Sequence, residues 1–251
     1  MGVSFKDPEP ILWSSPVGGP HLSDDEVHLW RVDLNVPFSI SELTRSCLSE
    51  AEVLQASRYV ASNFTRRYAL SHVALRCILS RYLLCDPSEI VFSEGSCGKP
   101  GVTGSNLHFN LSHSCECAVI AVSGSLCGEV GVDVEFRKRS VDALSLAKRF
   151  FSGGEYCELL SFNDSCLIDA FYAMWTLKEA FIKCLGIGLS ASLSDFTVTV
   201  ASQADCLSSC SLVGVDAGLV GNSLLQLGFG GDYAGALSTT RIPNSLCYFS
   251  F

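Results

Sequence analysis

Trp175-Thr176-Leu177-Lys178-Glu179-Ala180-Phe181-Ile182-Lys183 lies inside a run from about Asp164 to Leu185 that reads as one long helix. On an α-helix Trp175, Glu179 and Lys183 stand four residues apart, so an aromatic ring, a carboxylate and an ammonium line one face. Such a face can bind a metal ion and an anion together. Taken alone it is also the ordinary pattern of an i,i+4 ion pair on a solvated helix.

A second stretch shifts that balance. In Gly131-Val132-Asp133-Val134-Glu135 an apolar run is broken by two acids at i and i+2. Strand side chains alternate, so both carboxylates project one way while Val132 and Val134 face the core. Like charges side by side stabilise nothing by themselves, although a surface strand edge can carry them. Mg²⁺, which takes carboxylate and phosphate oxygens together, makes the pair favourable. With Glu179 and Lys183 the set describes a divalent-metal site that handles a phosphate ester or anhydride.

The 251 residues are enough for one large domain or two lobes, and 48% hydrophobic content fits a packed core. Thirteen cysteines, many in apolar or helical runs such as Cys77, Cys85, Cys117 and Cys184, read as reduced thiols and point to the cytoplasm. No apolar run reaches membrane-spanning length and no signal peptide is evident, so no membrane partner is expected. A net charge of −9 opposes nucleic-acid binding. Basic clusters at Arg58/Arg66/Arg67, Arg137-Lys138-Arg139 and Lys148-Arg149 suit small anions or an acidic protein; a solvated charge run is the other reading of each.

Residues 1–23, rich in Pro, Gly and Ser, form an extended lead-in. A strand over Val27–Leu34, helices over Ile40–Leu48, Ser49–Val60 and Phe64–Leu84, and strands at Ile90–Phe92, Leu107–Leu111 and Ala118–Val122 complete a first lobe ending near residue 127. The second lobe, 128–240, holds the acidic strand, helices over Val141–Phe150 and from Ser152, the Trp175 helix, and strands at Phe196–Val200, Ser211–Val213, Leu224–Gly228 and Tyr233–Ser238. Ser49/Glu52 and Ser152/Glu155 have capping-box spacing. Residues 241–251 read as a tail.

The ordered set Gly98-Lys99-Pro100, Phe109-Asn110-Leu111-Ser112-His113-Ser114, Gly131-Val132-Asp133-Val134-Glu135, Phe151-Ser152-Gly153-Gly154-Glu155 and Trp175-x-x-Lys178-Glu179-Ala180-x-x-Lys183 resembles the 4′-phosphopantetheinyl transferases of the larger, surfactin-synthetase-activating type. The resemblance runs from about Arg58 to Gly188. It implies an α+β fold of two similar lobes related by a pseudo-twofold, with the active site in the cleft between them. It also implies a reaction in which the phosphopantetheine arm of coenzyme A moves to a serine of an apo acyl or peptidyl carrier protein, releasing adenosine 3′,5′-bisphosphate.

Carried over by motif, Asp133, Glu135 and Glu179 hold Mg²⁺, Lys183 meets the diphosphate, Ser112 and His113 approach the 3′-phosphate, and Lys99 borders the adenine. Glu179 is the candidate base, acting directly or through a metal-bound water, and Asp133, Glu179 and Lys183 are the catalytic set. Glu155 matches a second-lobe glutamate of the family and has an equally good role in its capping box. Where the family has a denser basic pattern before the long helix, this chain has Ser62, Asn63 and Phe64, with Arg58 and Arg66 as substitutes. The enzyme is expected to work as a monomer. Arg137-Lys138-Arg139, just after Glu135, is expected to dock the acidic carrier. The alternatives are a Mg²⁺-dependent phosphodiesterase or nuclease, and a non-catalytic carrier- or coenzyme-binding homologue.

Overall fold

The computed structural model describes residues 3–16, 18–36, 46–58, 62–95, 97–188, 192–200 and 222–251. The first half holds β1 (Glu26–Asp33), α1 (Glu50–Ser57), α2 (Ser62–Leu83), β2 (Phe92–Glu94), β3 (Pro100–Val102), β4 (His108–Ser114) and β5 (Cys117–Ser123). The second holds β6 (Val130–Phe136), α3 (Ala143–Phe150), α4 (Gly153–Ser161), α5 (Asp164–Leu185), β7 (Ser223–Leu227), β8 (Tyr233–Thr239) and β9 (Ser245–Ser250).

The expected α+β fold is present as two sheets, ordered β4-β5-β1-β9 and β6-β8-β7, with β2 and β3 as a separate hairpin. Each main sheet carries one 22-residue helix, α2 on the first and α5 on the second. Both capping boxes form, Ser49 with Glu52 and Ser152 with Glu155.

Alternation within the strands decides what each face covers. Trp30, Val32, Ile120 and Val122 pack with Leu75, Ile78 and Leu79 of α2. Their strand neighbours Val27, Leu29, Val119 and Ala121 meet Val132, Val134 and Leu237 of the second sheet. β5 is therefore buried at every residue, as its unbroken apolar run requires. In β6 the valines take the inter-sheet face, which leaves Gly131, Asp133 and Glu135 toward α5. A Cβ on Gly131 would lie 2.1 Å from the Ala180 carbonyl oxygen and 2.2 Å from the Cys184 nitrogen. Only glycine lets helix and strand approach that closely.

The sheets meet along a polar seam. Asn110, Ser112 and Ser114, alternate residues of β4, accept from the N–H groups of Val132 (2.8 Å), Val134 (3.3 Å) and Phe136 (3.1 Å). Side chains of one edge strand thus satisfy the backbone of the other, where an open edge would otherwise stand.

Three expectations change. Residues 241–251, read as a tail, supply β9, which pairs in parallel with β1. Phe196–Val200 is not a strand: the Val198 and Val200 N–H groups donate to the carboxylates of Glu155 (2.8 Å) and Glu158 (2.9 Å). Arg137 is buried, held by Asp7 and by Asp169 at 3.4 Å, so the guanidinium expected to dock a carrier ties the lead-in to α5 instead. The helix expected over Ile40–Leu48 lies mostly, and the strand over Ser211–Val213 wholly, outside the described residues. The lead-in crosses both lobes, bridging Val3 to Phe162 and Ser14 to Phe249.

Candidate active site

Between the lobes opens a cleft of about 1240 Å³. Into it β6 presents Asp133 and Glu135, α5 presents Trp175, Glu179 and Lys183, and β4 presents Ser112 and His113. The four-residue spacing on α5 and the two-residue spacing on β6 place these side chains face to face, because Gly131 lets α5 lie directly on the strand.

Asp133 is the buried centre. Its Oδ1 accepts from Lys183 Nζ at 2.6 Å and from Ser112 Oγ at 2.8 Å, and the same ammonium donates to Ser112 Oγ at 3.0 Å. Its Oδ2 is buried with no hydrogen-bond partner among the described residues. Glu135 accepts from Ser114 Oγ at 2.7 Å. Burial first, and then the charge of Asp133, push both Glu135 and Glu179 above the ordinary carboxylate range.

An orphaned carboxylate oxygen beside two carboxyls that resist ionisation marks a place where positive charge is missing. Oxygen donors of this kind suit a hard divalent cation, so the residues present fit Mg²⁺. They are not drawn tight around one point: among the described residues the three-membered group of ligand-type atoms lying within 4.8 Å of one another is elsewhere, at Glu26, His28 and Cys247. Lys183 neutralises Asp133 in the meantime.

Below the cleft Lys178 and Glu155 form a fully buried pair at 2.5 Å, and Lys178 also donates to the Phe196 carbonyl at 2.6 Å. Glu155 thus caps α4, pairs with Lys178 and anchors Val198, which is a structural task.

The remaining expected site residues divide. Arg58, at the end of α1, lines the cleft and donates to Gln55 Oε1 at 2.9 Å. Arg66 is not among the lining residues; its guanidinium donates to the Val36 carbonyl. Lys99 lines an adjoining cavity of about 530 Å³ that shares Glu179 and Lys183 with the cleft. Its ammonium is engaged by Glu129 at 2.5 Å and by the Val130 and Cys184 carbonyls at 3.0 Å each, bracing the β2–β3 hairpin on the second lobe. Tyr68, His72 and Arg76 of α2 also line the cleft and were missed. Their i,i+4 spacing was the signal: Tyr68 and His72 stack at 4.1 Å, and Arg76 holds Glu52 at 2.8 Å.

Several known proteins are similar in sequence to this chain. A family model described as the 4′-phosphopantetheinyl transferase superfamily matches residues 129–217. The 4′-phosphopantetheinyl transferase HetI of Nostoc sp. is 38% identical over 67% of this chain and 72% of its own length. The chain belongs to the 4′-phosphopantetheinyl transferase family. The transferase Sfp of Bacillus subtilis is 34% identical, over 68% of this chain and 75% of that one, in keeping with the larger type. A putative transferase of Synechocystis sp. is 35% identical over 74% and 69%. In this transferase the family match takes in Asp133, Glu135, Glu179 and Lys183 but begins after β4, so the Ser112 and Ser114 contacts come from outside it. No helix among the described residues is long and apolar enough to cross a membrane.

Proposed function

We propose that the chain transfers the 4′-phosphopantetheine arm of coenzyme A to a serine hydroxyl of an apo acyl or peptidyl carrier protein, releasing adenosine 3′,5′-bisphosphate, with Mg²⁺ as cofactor. The observation that carries this reading is the unpartnered, buried Asp133 Oδ2 between Lys183 and two carboxyls of raised pKa.

Asp133, Glu135 and Glu179 would hold the Mg²⁺, whose charge offsets that of a diphosphate. Lys183 brings an ammonium to the same edge of the cleft, half-buried and therefore only weakly screened, where the bridging oxygen of the coenzyme's diphosphate would gain negative charge as the serine oxygen bonds the pantetheine-side phosphorus and the phosphoanhydride bond breaks. Glu179 would take the proton of the incoming serine hydroxyl, directly or through water. Ser112 orients Asp133 and shares Lys183; Ser114 fixes Glu135. His113 and Arg58 line the same cleft and would meet the coenzyme's 3′-phosphate.

The enzyme would act as a monomer, its lobes dividing near residue 127. The cysteines described are free thiols, which suits the cytoplasm. Intact mass spectrometry of an apo carrier protein incubated with coenzyme A, Mg²⁺ and the enzyme tests the proposal. One added phosphopantetheine per carrier, lost with a chelator and restored by Mg²⁺, is the expected result; an unmodified carrier across fatty-acid, polyketide and peptide-synthetase types would refute it.

A further inference from the structure

Outside the cleft, the pairing of β9 with β1 brings together ligand-type side chains that lie more than two hundred residues apart in sequence. His28 and Cys247 are partners in the parallel register, and Glu26 precedes His28 by two residues on the same strand face. His28 Nε2 lies 3.2 Å from Glu26 Oε2, and Cys247 Sγ lies 2.9 Å from Glu26 Oε1. Ligand atoms of all three fall within 4.8 Å of one another. Tetrahedral zinc bonds of about 2.0–2.3 Å separate neighbouring ligand atoms by roughly 3.3–3.8 Å, so small side-chain movements close the group on an ion.

The surroundings are built as those of a metal-binding histidine are. The imidazole Nδ1 is 2.8 Å from Tyr82 Oη, which also accepts from Trp30 Nε1 at 2.7 Å. The ring is packed against Phe249 at 5.1 Å, so Nε2 is held toward Glu26 and Cys247. His28 is only 2% exposed, whereas Glu26 and Cys247 are half-buried, which leaves a route in from solvent. Among the described residues other than His28, the Glu26 carboxylate meets neutral donors, the Ser23 N–H, the Ser245 hydroxyl and the Cys247 thiol. No Lys or Arg among the described residues pairs with it.

We propose that Glu26, His28 and Cys247 form a zinc site, with water in the fourth position, that pins β9 to β1. A carboxylate, an imidazole and a thiolate are the donor types zinc selects over Mg²⁺, which keeps this site chemically separate from the cleft. Uptake breaks the thiol S–H now directed at Glu26; the sulfur bonds the metal and the proton leaves to solvent.

Full-length enzyme, stripped by a chelator, is titrated with Zn²⁺ alone and, separately, with Co²⁺ alone. The expected result is one tightly held equivalent, a thiolate-to-cobalt charge-transfer absorption, and a thermal midpoint several degrees higher with zinc. Cys247→Ser should remove the absorption and weaken binding at least tenfold, as should Glu26→Gln. Cys97→Ser, at an exposed cysteine, and Asp133→Asn, in the cleft, should leave both unchanged. Circular dichroism of the metal-free variants checks that the fold persists. An absorption that survives Cys247→Ser and Glu26→Gln, one lost equally in Cys97→Ser, or no stoichiometric binding to the parent overturns the site and leaves a metal-free hydrogen-bonded cluster.

Discussion

Ionising Glu179 beside Asp133 works against the fold. Burial and then the Asp133 charge raise the folded pKa of Glu179 above its unfolded value, so between the two values the folded chain binds more protons. Stability therefore rises as pH falls through the folded value. Glu179→Gln, which cannot ionise, should melt on the order of a few degrees higher than the metal-free parent at pH 8, with the gap closing toward pH 5. A variant that melts lower at pH 8 would show that the carboxylate is stabilising. Lys183→Ala should lower turnover roughly a hundredfold at saturating coenzyme A, the scale for losing one preorganised charge-stabilising group. Steady-state kinetics decide it, and unchanged turnover would reduce Lys183 to an ion-pair partner of Asp133. At this scale the sequence was informative about Asp133, Glu135, Glu179 and Lys183, because period-2 and period-4 spacing fixes which residues share a face. It could not reveal that Arg66 serves the Val36 carbonyl or that the Lys99 ammonium is committed to Glu129, since both depend on contacts distant in sequence.

Among the elements, the packing of α5 on β6 controls the site. Gly131→Ala pushes a methyl into the Ala180 and Cys184 backbone and should cost about 3 kcal/mol, read by denaturant unfolding. Because it also moves Glu179 and Lys183 away from Asp133, turnover should fall even where the protein remains folded. A neutral effect on both would mean that helix and strand separate freely. In the first lobe, burial works against ionising Glu52, but His72, the Ser49 N–H and hydroxyl, and Arg76 outweigh it and hold its pKa at about 2. A lowered pKa gives stability present above the ordinary carboxylate value and lost between about 4.5 and about 2. Glu52→Ala, which leaves the Arg76 guanidinium buried and unpaired by a carboxylate, should cost about 3–5 kcal/mol at pH 7 and lose that penalty in acid. Chemical denaturation at pH 7 and pH 2.5 tests this. The capping boxes were legible because both members lie within three residues. The Phe196–Val200 segment was not, because its N–H partners are carboxylates on a helix forty residues earlier in the chain.

Across the whole molecule, the lead-in and the last strand tie the lobes together. Arg137 is part of that tie, so Arg137→Ala should lower stability by about 2 kcal/mol and leave the carrier KM unchanged; a raised KM with unaltered stability would restore the docking role. The sequence offered no sign that residues 241–251 close the first sheet, because β9 finds its partner at the other end of the chain. The α+β fold was readable through the family that the ordered motifs resemble. We propose that the carboxylates around Lys183 carry phosphopantetheine transfer. Its most direct test is intact-mass analysis of an apo carrier treated with parent enzyme or with Asp133→Ala, each with coenzyme A and Mg²⁺. Full conversion by the parent and none by a folded Asp133→Ala is the expected result; equal conversion by both would contradict it.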